Sequence, residues 1–225
     1  MGNPAGLNQN DRAMVIQMKG ATINTSSSSS FGDTVSLNNA GNYELGTICY
    51  IRGDSVFFVY MLLNQYTASG KVQLVKVPEY YSANVIDTLK AAPWNNTTGT
   101  GGVLAIFVDE DLSLNAPISA DSSGFRGGSY RLSNGTCNNS PGANAYDYNA
   151  NSTSPQNGAF KGEGIADVVT AQTGGRGAPA NGGGGGNNHN NGGAGGANLS
   201  NGGNGGGNSS STGCRLAFVG RGGKG

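Results

Sequence analysis

The sequence predicts an all-β fold. A short-strand β-solenoid or β-sandwich module is expected over residues 1–120, followed by a Gly/Asn-rich region over residues 121–225 that packs on it. Three observations carry this expectation. The apolar runs of the first part are short and end in Gly, Pro, Asn or Ser. No segment holds a helical period over three turns. After Asp121 the aliphatic residues give way to Gly, Asn, Ser and Tyr, so the second part has little to bury.

Taken in order, residues 12–23 (RAMVIQMKGATI) form an apolar run stopped by Gly20 and read as a strand. The serine run of residues 25–31 is a solvated loop. Residues 42–51 (NYELGTICYI) and 55–63 (SVFFVYMLL) are strands around Arg52-Gly53-Asp54, where Gly-Asp favours a tight turn. The tetrapeptide Arg52-Gly53-Asp54-Ser55 is therefore read as a turn rather than as an integrin ligand. Residues 71–77 (KVQLVKV) alternate until Pro78 ends them. Residues 84–89 are another short strand. Residues 102–108 (GVLAIFV) are the most apolar run, and residues 112–118 (LSLNAPI) alternate after them. Apolar islands at residues 164–169 and 215–219 are the only anchors of the second part. One strand, an acidic turn and an alternating strand over residues 102–118 favour solenoid coils, although no fixed repeat is visible.

Roughly half of residues 174–208 is glycine, and most of the rest is Asn, Ala and Ser. Each glycine costs conformational entropy and gives no packing in return, which excludes helix interiors and ordinary strands. Two readings remain: a flexible linker, or a packed array of extended glycine segments with three residues per turn. Composition by itself favours the linker.

Thirteen Lys and Arg balance thirteen Asp and Glu, so the formal net charge is zero. That argues against nucleic acid or an anionic membrane surface as partner. No apolar run is long enough to span a bilayer. Charged residues are only 12%, and the polar surface is Asn, Ser, Thr and Gly, which suits hydroxyl-rich glycans or copies of the same chain. The N-terminus lacks the basic and apolar regions of a signal peptide.

The acidic triplet Asp109-Glu110-Asp111 is the densest carboxylate cluster. If extended, Asp109 and Asp111 share a face and make a candidate calcium site, the single cofactor considered; a solvated turn is the competing reading. His189, the only histidine, sits in NNHNN with no apolar wall to fix it, so a Ser-His-Asp or Cys-His arrangement is not supported. GRGGKG lacks the spacing and the Ser/Thr of a phosphate loop. Asp109, Glu163 and Asp167 are the carboxylates available to a glycosidase, but sequence does not bring them together. Glu163 suits a structural role better, paired with the guanidinium of Arg126 or Arg176. Tyr80, Tyr81, Trp94 and Tyr130, with Tyr146 and Tyr148, are candidate glycan contacts beside Asn side chains; core packing is the alternative. Of the three cysteines, Cys49 reads as a buried thiol. Cys137 and Cys214 lie in Gly/Asn-rich surroundings and are a candidate disulfide bracketing the glycine tract.

Several phrases occur together in a set order: DRAMVIQMKGA (11–21), NAGNY (39–43), GKVQLVKV (70–77), GGVLAIFVDEDLSLNAPI (101–118), GFRGG (124–128), KGEGI (161–165) and GRGAPANGGGGGNNHN (175–190). This order resembles the N-terminal glycine-rich region of very large secreted surface proteins of Bacteroidota, which often end in gliding-motility-associated or type IX secretion sorting domains. The resemblance covers nearly the whole chain. It implies an extracellular, cell-surface location and a chain that continues past Gly225. It also turns the expectation for residues 174–208 from linker to an ordered, polyglycine-II-like array. Asp33-Thr34-Val35, Asp54-Ser55-Val56 and Asp87-Thr88-Leu89 resemble the short O-glycosylation triplets of that group. The expected function is a non-catalytic adhesin or structural component of a surface fibre or filament. Its partners would be its own copies, other surface proteins or glycans, without nucleic acid and without membrane insertion by this segment. A secreted carbohydrate-active or glycan-binding protein on a β-helix is the alternative, and a passive spacer is the third reading.

Overall fold

The computed structural model describes residues 6–132, 145–151, 158–187, 191–207 and 219–225. These residues form strands and two one-turn 3-10 segments, with no α-helix of any length among them and none able to cross a membrane. The chain divides into two compact units. One comprises Met1–Met18 and Asn39–Gly124; the other comprises Lys19–Asn38 and Phe125–Gly225. Residues 19–38, assigned from sequence to the β module, thus cluster with the glycine-rich unit.

The first unit is built on a four-stranded antiparallel sheet. Its strands are β1 (Arg12–Gln17), β4 (Tyr43–Arg52), β5 (Ser55–Phe58) and β6 (Val72–Val77), in the order β5-β4-β1-β6. Every second residue of β1 is buried, which places Ala13, Val15 and Gln17 on the inner face. The core joins Leu7, Ala13 and Ile48 with Ile51, Val56, Phe58 and Leu74. The two buried glutamines are satisfied. Gln17 Oε1 accepts from Thr67 N at 2.7 Å, and Gln73 exchanges two hydrogen bonds with Gly101. Gly53-Asp54 is the two-residue turn of the β4–β5 hairpin, with Gly53 at φ +59°, as the sequence predicts. On the outer face Tyr50 stacks on Phe57 at 4.3 Å.

After β6 the chain makes three very short strands, β7 (Glu79–Tyr80), β8 (Ala83–Val85) and β9 (Leu89–Lys90). It then returns alongside them as β10 (Phe107–Val108), β11 (Leu112–Leu114) and β12 (Ile118–Ser119). All three pairings are parallel, Glu79 facing Phe107, Ala83 facing Leu112 and Leu89 facing Ile118. Asp109, Glu110 and Asp111 span the gap that Tyr81 and Ser82 span on the partner, so the acidic corner carries one extra residue.

Five sequence-predicted strands are shorter than expected: residues 12–23 divide into Arg12–Gln17 and Thr22–Ile23, residues 84–89 divide between β8 and β9, residues 112–118 divide between β11 and β12, and two more pair over only part of their length. Only Phe107 and Val108 of residues 102–108 pair, because Gly101 (φ +90°) and Gly102 (φ +75°) turn the chain just before it. The run from Ser55 is strand only to Phe58, with one further bond from Val59 N to Thr47 O at 2.9 Å; beyond it Leu63 N and Asn64 N donate to the Glu44 carboxylate, at 2.8 and 3.1 Å.

In the second unit β2 (Thr22–Ile23) pairs with β3 (Thr34–Ser36). Most of the rest is extended backbone bonded to extended backbone. Residues 191–198 run antiparallel to 200–207, with Gly192 N to Gly206 O at 2.9 Å, Gly195 N to Gly203 O at 3.0 Å and Asn198 N to Ser200 O at 3.3 Å. Residues 219–225 lie parallel to 191–198, Gly220 N donating to Gly192 O and Gly223 N to Gly195 O. They also run antiparallel to 200–207, through Gly202 N to Gly223 O and Gly205 N to Gly220 O. Residues 173–187 meet 191–198 through Ala194 N to Gly184 O and Ala197 N to Asn181 O, and accept from Gly162 N and Ala159 N at Gly183 O and Gly186 O. Each of these extended-segment ladders advances by three residues. A strand would return to the same neighbour every second residue, whereas an extended helix of three residues per turn returns every third.

Candidate functional site

The glycine-rich unit gathers its polar chemistry around Lys161. KGEGI places this lysine in the segment 158–165, where small neighbours let two main-chain segments, 145–151 and 173–187, converge on it. Lys161 Nζ donates to the carbonyls of Tyr146 at 2.5 Å, Gly175 at 3.0 Å and Gly177 at 2.7 Å, and lies 4.3 Å from the centre of the Phe31 ring. Three carbonyl acceptors match the three donors that only the ammonium possesses. Burial nevertheless pushes its pKa down to about 7, against the opposing pull of Asp147. Gly177 is required here, since a Cβ would stand 2.5 Å from the Phe31 ring.

Beside this cage lies a cleft of about 330 Å³. Phe31 and Tyr146 form its apolar walls, and Asn201, Asn204, Arg221 and Lys224 supply its polar groups. The segments bring these groups together by their period. Asn201 and Asn204 are three apart on one segment, and Arg221 and Lys224 are three apart on the next, so each pair faces one side. Asn201 Oδ1 accepts from Gly225 N and Asn204 Oδ1 from Gly222 N. Lys224 Nζ pairs with Asp33 and donates to Phe31 O. Arg176, buried, lies over the Tyr146 ring at 5.4 Å, and its main chain accepts from Arg221 N at 2.8 Å. Burial lowers the Arg176 pKa, Tyr146 opposes the shift, and the like charge of Arg221 lowers it further.

The sequence-predicted residues are dispersed. Glu163 meets Arg126 through the main chain rather than the guanidinium. Arg126 N donates to Glu163 Oε2 at 3.1 Å and Glu163 N donates to Arg126 O at 2.8 Å, while the Arg126 side chain is exposed. The expected Glu163–Arg126 or Glu163–Arg176 ion pair is not formed among the described residues, because adjacent extended segments meet backbone first. Asp167, 60% exposed, pairs at 2.7 Å with Lys19, whose side chain is 2% exposed. Asp109 and Asp111 are exposed at the acidic corner, with their main chains bonded to Tyr80 and Ala83. No group of three side chains able to hold a metal occurs among the described residues. Trp94, 2% exposed, is a core residue and not a glycan contact; its N donates to Ser123 O at 2.9 Å. Tyr80 and Tyr81 are exposed in the first unit and Tyr130 in the second. Tyr148 is buried with its hydroxyl 3.2 Å from Asn187 Oδ1, and burial raises its pKa. Cys49 is a half-buried free thiol; Cys137, Cys214 and His189 lie outside the described residues.

Sequence reasoning missed Lys161, Phe31, Asn201, Asn204, Arg221 and Lys224. The available signal was the isolated cation among glycines (FKGEG, VGRGGKG) and the three-residue spacing of N-x-x-N and R-x-x-K. A second concavity, of about 730 Å³, lies in the first unit beside the parallel ladders and is lined by Tyr80, Val85, Ile86, Leu104 and Ile106. No protein-family model, no curated protein and no solved structure matches this chain.

Proposed function

We propose that this chain is a non-catalytic surface protein of the cell exterior, an adhesin or structural component of a surface fibre. In this reading its glycine segments form a polyglycine-II-like array and its β module is of solenoid type. The carrying observation is the three-residue hydrogen-bond step shared by the segments at 158–165, 173–187, 191–198, 200–207 and 219–225. Such a bundle is joined segment to segment by backbone hydrogen bonds, so it extends by adding further segments to its outer face, much as a sheet extends at its edge.

Residues 200–207 offer such a face. Gly202 and Gly205 point inward, where a Cβ would stand 2.2 Å from Gly195 O and 2.0 Å from Gly192 O. A Cβ on Gly203 or Gly206 meets nothing within 4 Å. The three parallel ladders of the first unit favour the solenoid over the sandwich, since sandwiches are built from antiparallel sheets. The engagement of Glu163 with a main-chain amide and of Asp167 with Lys19 favours structural over acid–base roles for these carboxylates. The extracellular location rests on the resemblance to secreted surface proteins.

Negative-stain electron microscopy and light scattering of the purified chain test the reading. Filaments or laterally grown oligomers are expected at high concentration, and the double substitution Gly203→Arg, Gly206→Arg should abolish them. Monodisperse particles at every concentration would refute assembly through this face.

A further inference from the structure

We propose that the cleft bounded by Phe31, Tyr146, Asn201, Asn204, Arg221 and Lys224 binds an oxyanion carried on a sugar-sized ring, a uronate or a sulfated sugar. This does not rest on the surface-assembly reading, because the cleft and residues 203 and 206 are different features of the unit.

The cleft is unbalanced in favour of donors. Asn201 and Asn204 spend their side-chain oxygens on Gly225 N and Gly222 N, so their amide Nδ2–H groups remain as donors. Arg221 is exposed and forms no ion pair among the described residues, which leaves a guanidinium fork of the shape that carboxylate and sulfate oxygens fit. Lys224 uses Nζ on Asp33 and Phe31 O and keeps one further N–H.

Four cations, Lys161, Arg176, Arg221 and Lys224, stand in or behind the walls. The carboxylates that face them are Asp33, on Lys224, and Asp147, which accepts from Gln172 Nε2 at 2.9 Å. An entering anion would relieve the repulsion between Arg176 and Arg221. The Tyr146 ring gives the rest of the ligand a flat wall, and the volume of about 330 Å³ is at the small end of ligand pockets. Neutral sugars could use the amides and the ring but leave Arg221 without a partner, and a free inorganic ion would leave the ring unused.

The test is an amide-resolved NMR titration of the full chain with sodium glucuronate, glucose and sodium sulfate at matched ionic strength. Glucuronate should shift the signals of Tyr146, Asn201, Asn204 and Arg221 saturably, glucose should not, and sulfate should bind more weakly at the same residues. Arg221→Gln should weaken glucuronate by about tenfold, the loss of one charged hydrogen-bond pair. The spectrum itself reports whether that variant is folded, and Asn204→Ser provides a second, milder variant that should weaken binding less. Equal shifts with glucose would overturn the anion assignment, and sulfate binding as tight as glucuronate would overturn the sugar. Glucuronate binding unchanged by Arg221→Gln would overturn the site.

Discussion

Gly184→Ala against Gly203→Ala separates a packed glycine bundle from a flexible tract. A Cβ built on Gly184 stands 2.2 Å from the Arg176 carbonyl oxygen and 2.9 Å from Arg221 N, where ordinary contact begins at 3.4 Å. The neighbouring main chains must therefore move apart by roughly 1 Å, since neither contact is a flexible side chain. Three hydrogen bonds meet at this point: Gly184 N to Arg221 O at 2.9 Å, Ala194 N to Gly184 O at 2.9 Å, and Arg221 N to Arg176 O at 2.8 Å. Losing the better part of them costs about 1 kcal/mol each, and overpacking adds about 1–3 kcal/mol. Alanine returns about 0.4–1 kcal/mol by narrowing the unfolded ensemble. The net expectation is a loss of about 3 kcal/mol, and a fall in Tm of roughly 6–12 °C for a chain of this size. Gly203 has open space within 4 Å and a φ outside the left-handed region, so Gly203→Ala should be neutral or stabilising by about 0.5 kcal/mol. Differential scanning calorimetry reads the stability, and amide exchange at Ala194 and Arg221 reads the local opening. Identical melting and exchange for the two variants would refute the packed bundle and return residues 174–208 to the linker class.

Two pH dependences follow from the buried and bonded ionisable groups. Lys161 titrates near 7 when folded and near 10.5 when unfolded, so between these values the unfolded chain binds more protons. The stability of the glycine-rich unit should therefore rise as pH increases from about 7 towards 10.5 and be flat below that window, with the slope removed in Lys161→Met; a flat profile in the parent chain would show that the carbonyl cage holds the ammonium charged. For Glu44, burial works to raise the pKa, but donation from Leu63 N, Tyr66 Oη and Asn64 N together brings it below 4.5. Its contribution is present above the unfolded value and is lost as pH falls through the folded one, so acid should loosen residues 60–66, seen as faster amide exchange at Leu63 and Asn64, and Glu44→Gln should flatten that response.

Much of the fold is legible in the sequence because strand signals are local. Alternation marks β1 and β6, and Gly53-Asp54 marks the β4–β5 turn. The acidic corner at Asp109-Glu110-Asp111 also falls between paired strands, as its composition indicates. The candidate site was not legible in the same way. Glu163, Arg126 and Arg176 were singled out as charges expected to pair, yet Glu163 receives a main-chain amide and Arg176 turns to an aromatic ring. Trp94 offered the same type of side chain as an exposed sugar platform and is buried. Nothing local distinguishes these outcomes, because they depend on which segment lies alongside.

The sequence by itself determined that the chain is built from strands and extended segments. Its apolar runs are too short and too often interrupted for helices, and its glycines can pack only backbone against backbone. What only the tertiary structure decided is which backbones meet. Residues 19–38, which contain the serine run, join the glycine-rich unit, with Phe31 under Lys161 and Asp33 on Lys224. Segments 201–204 and 221–224, distant from Tyr146 in sequence, come together to line one cleft. The physical reason is that a glycine segment carries almost no side-chain information about its neighbours. Its partners are chosen by hydrogen bonds that any backbone offers, and only the sum of many such contacts selects one arrangement.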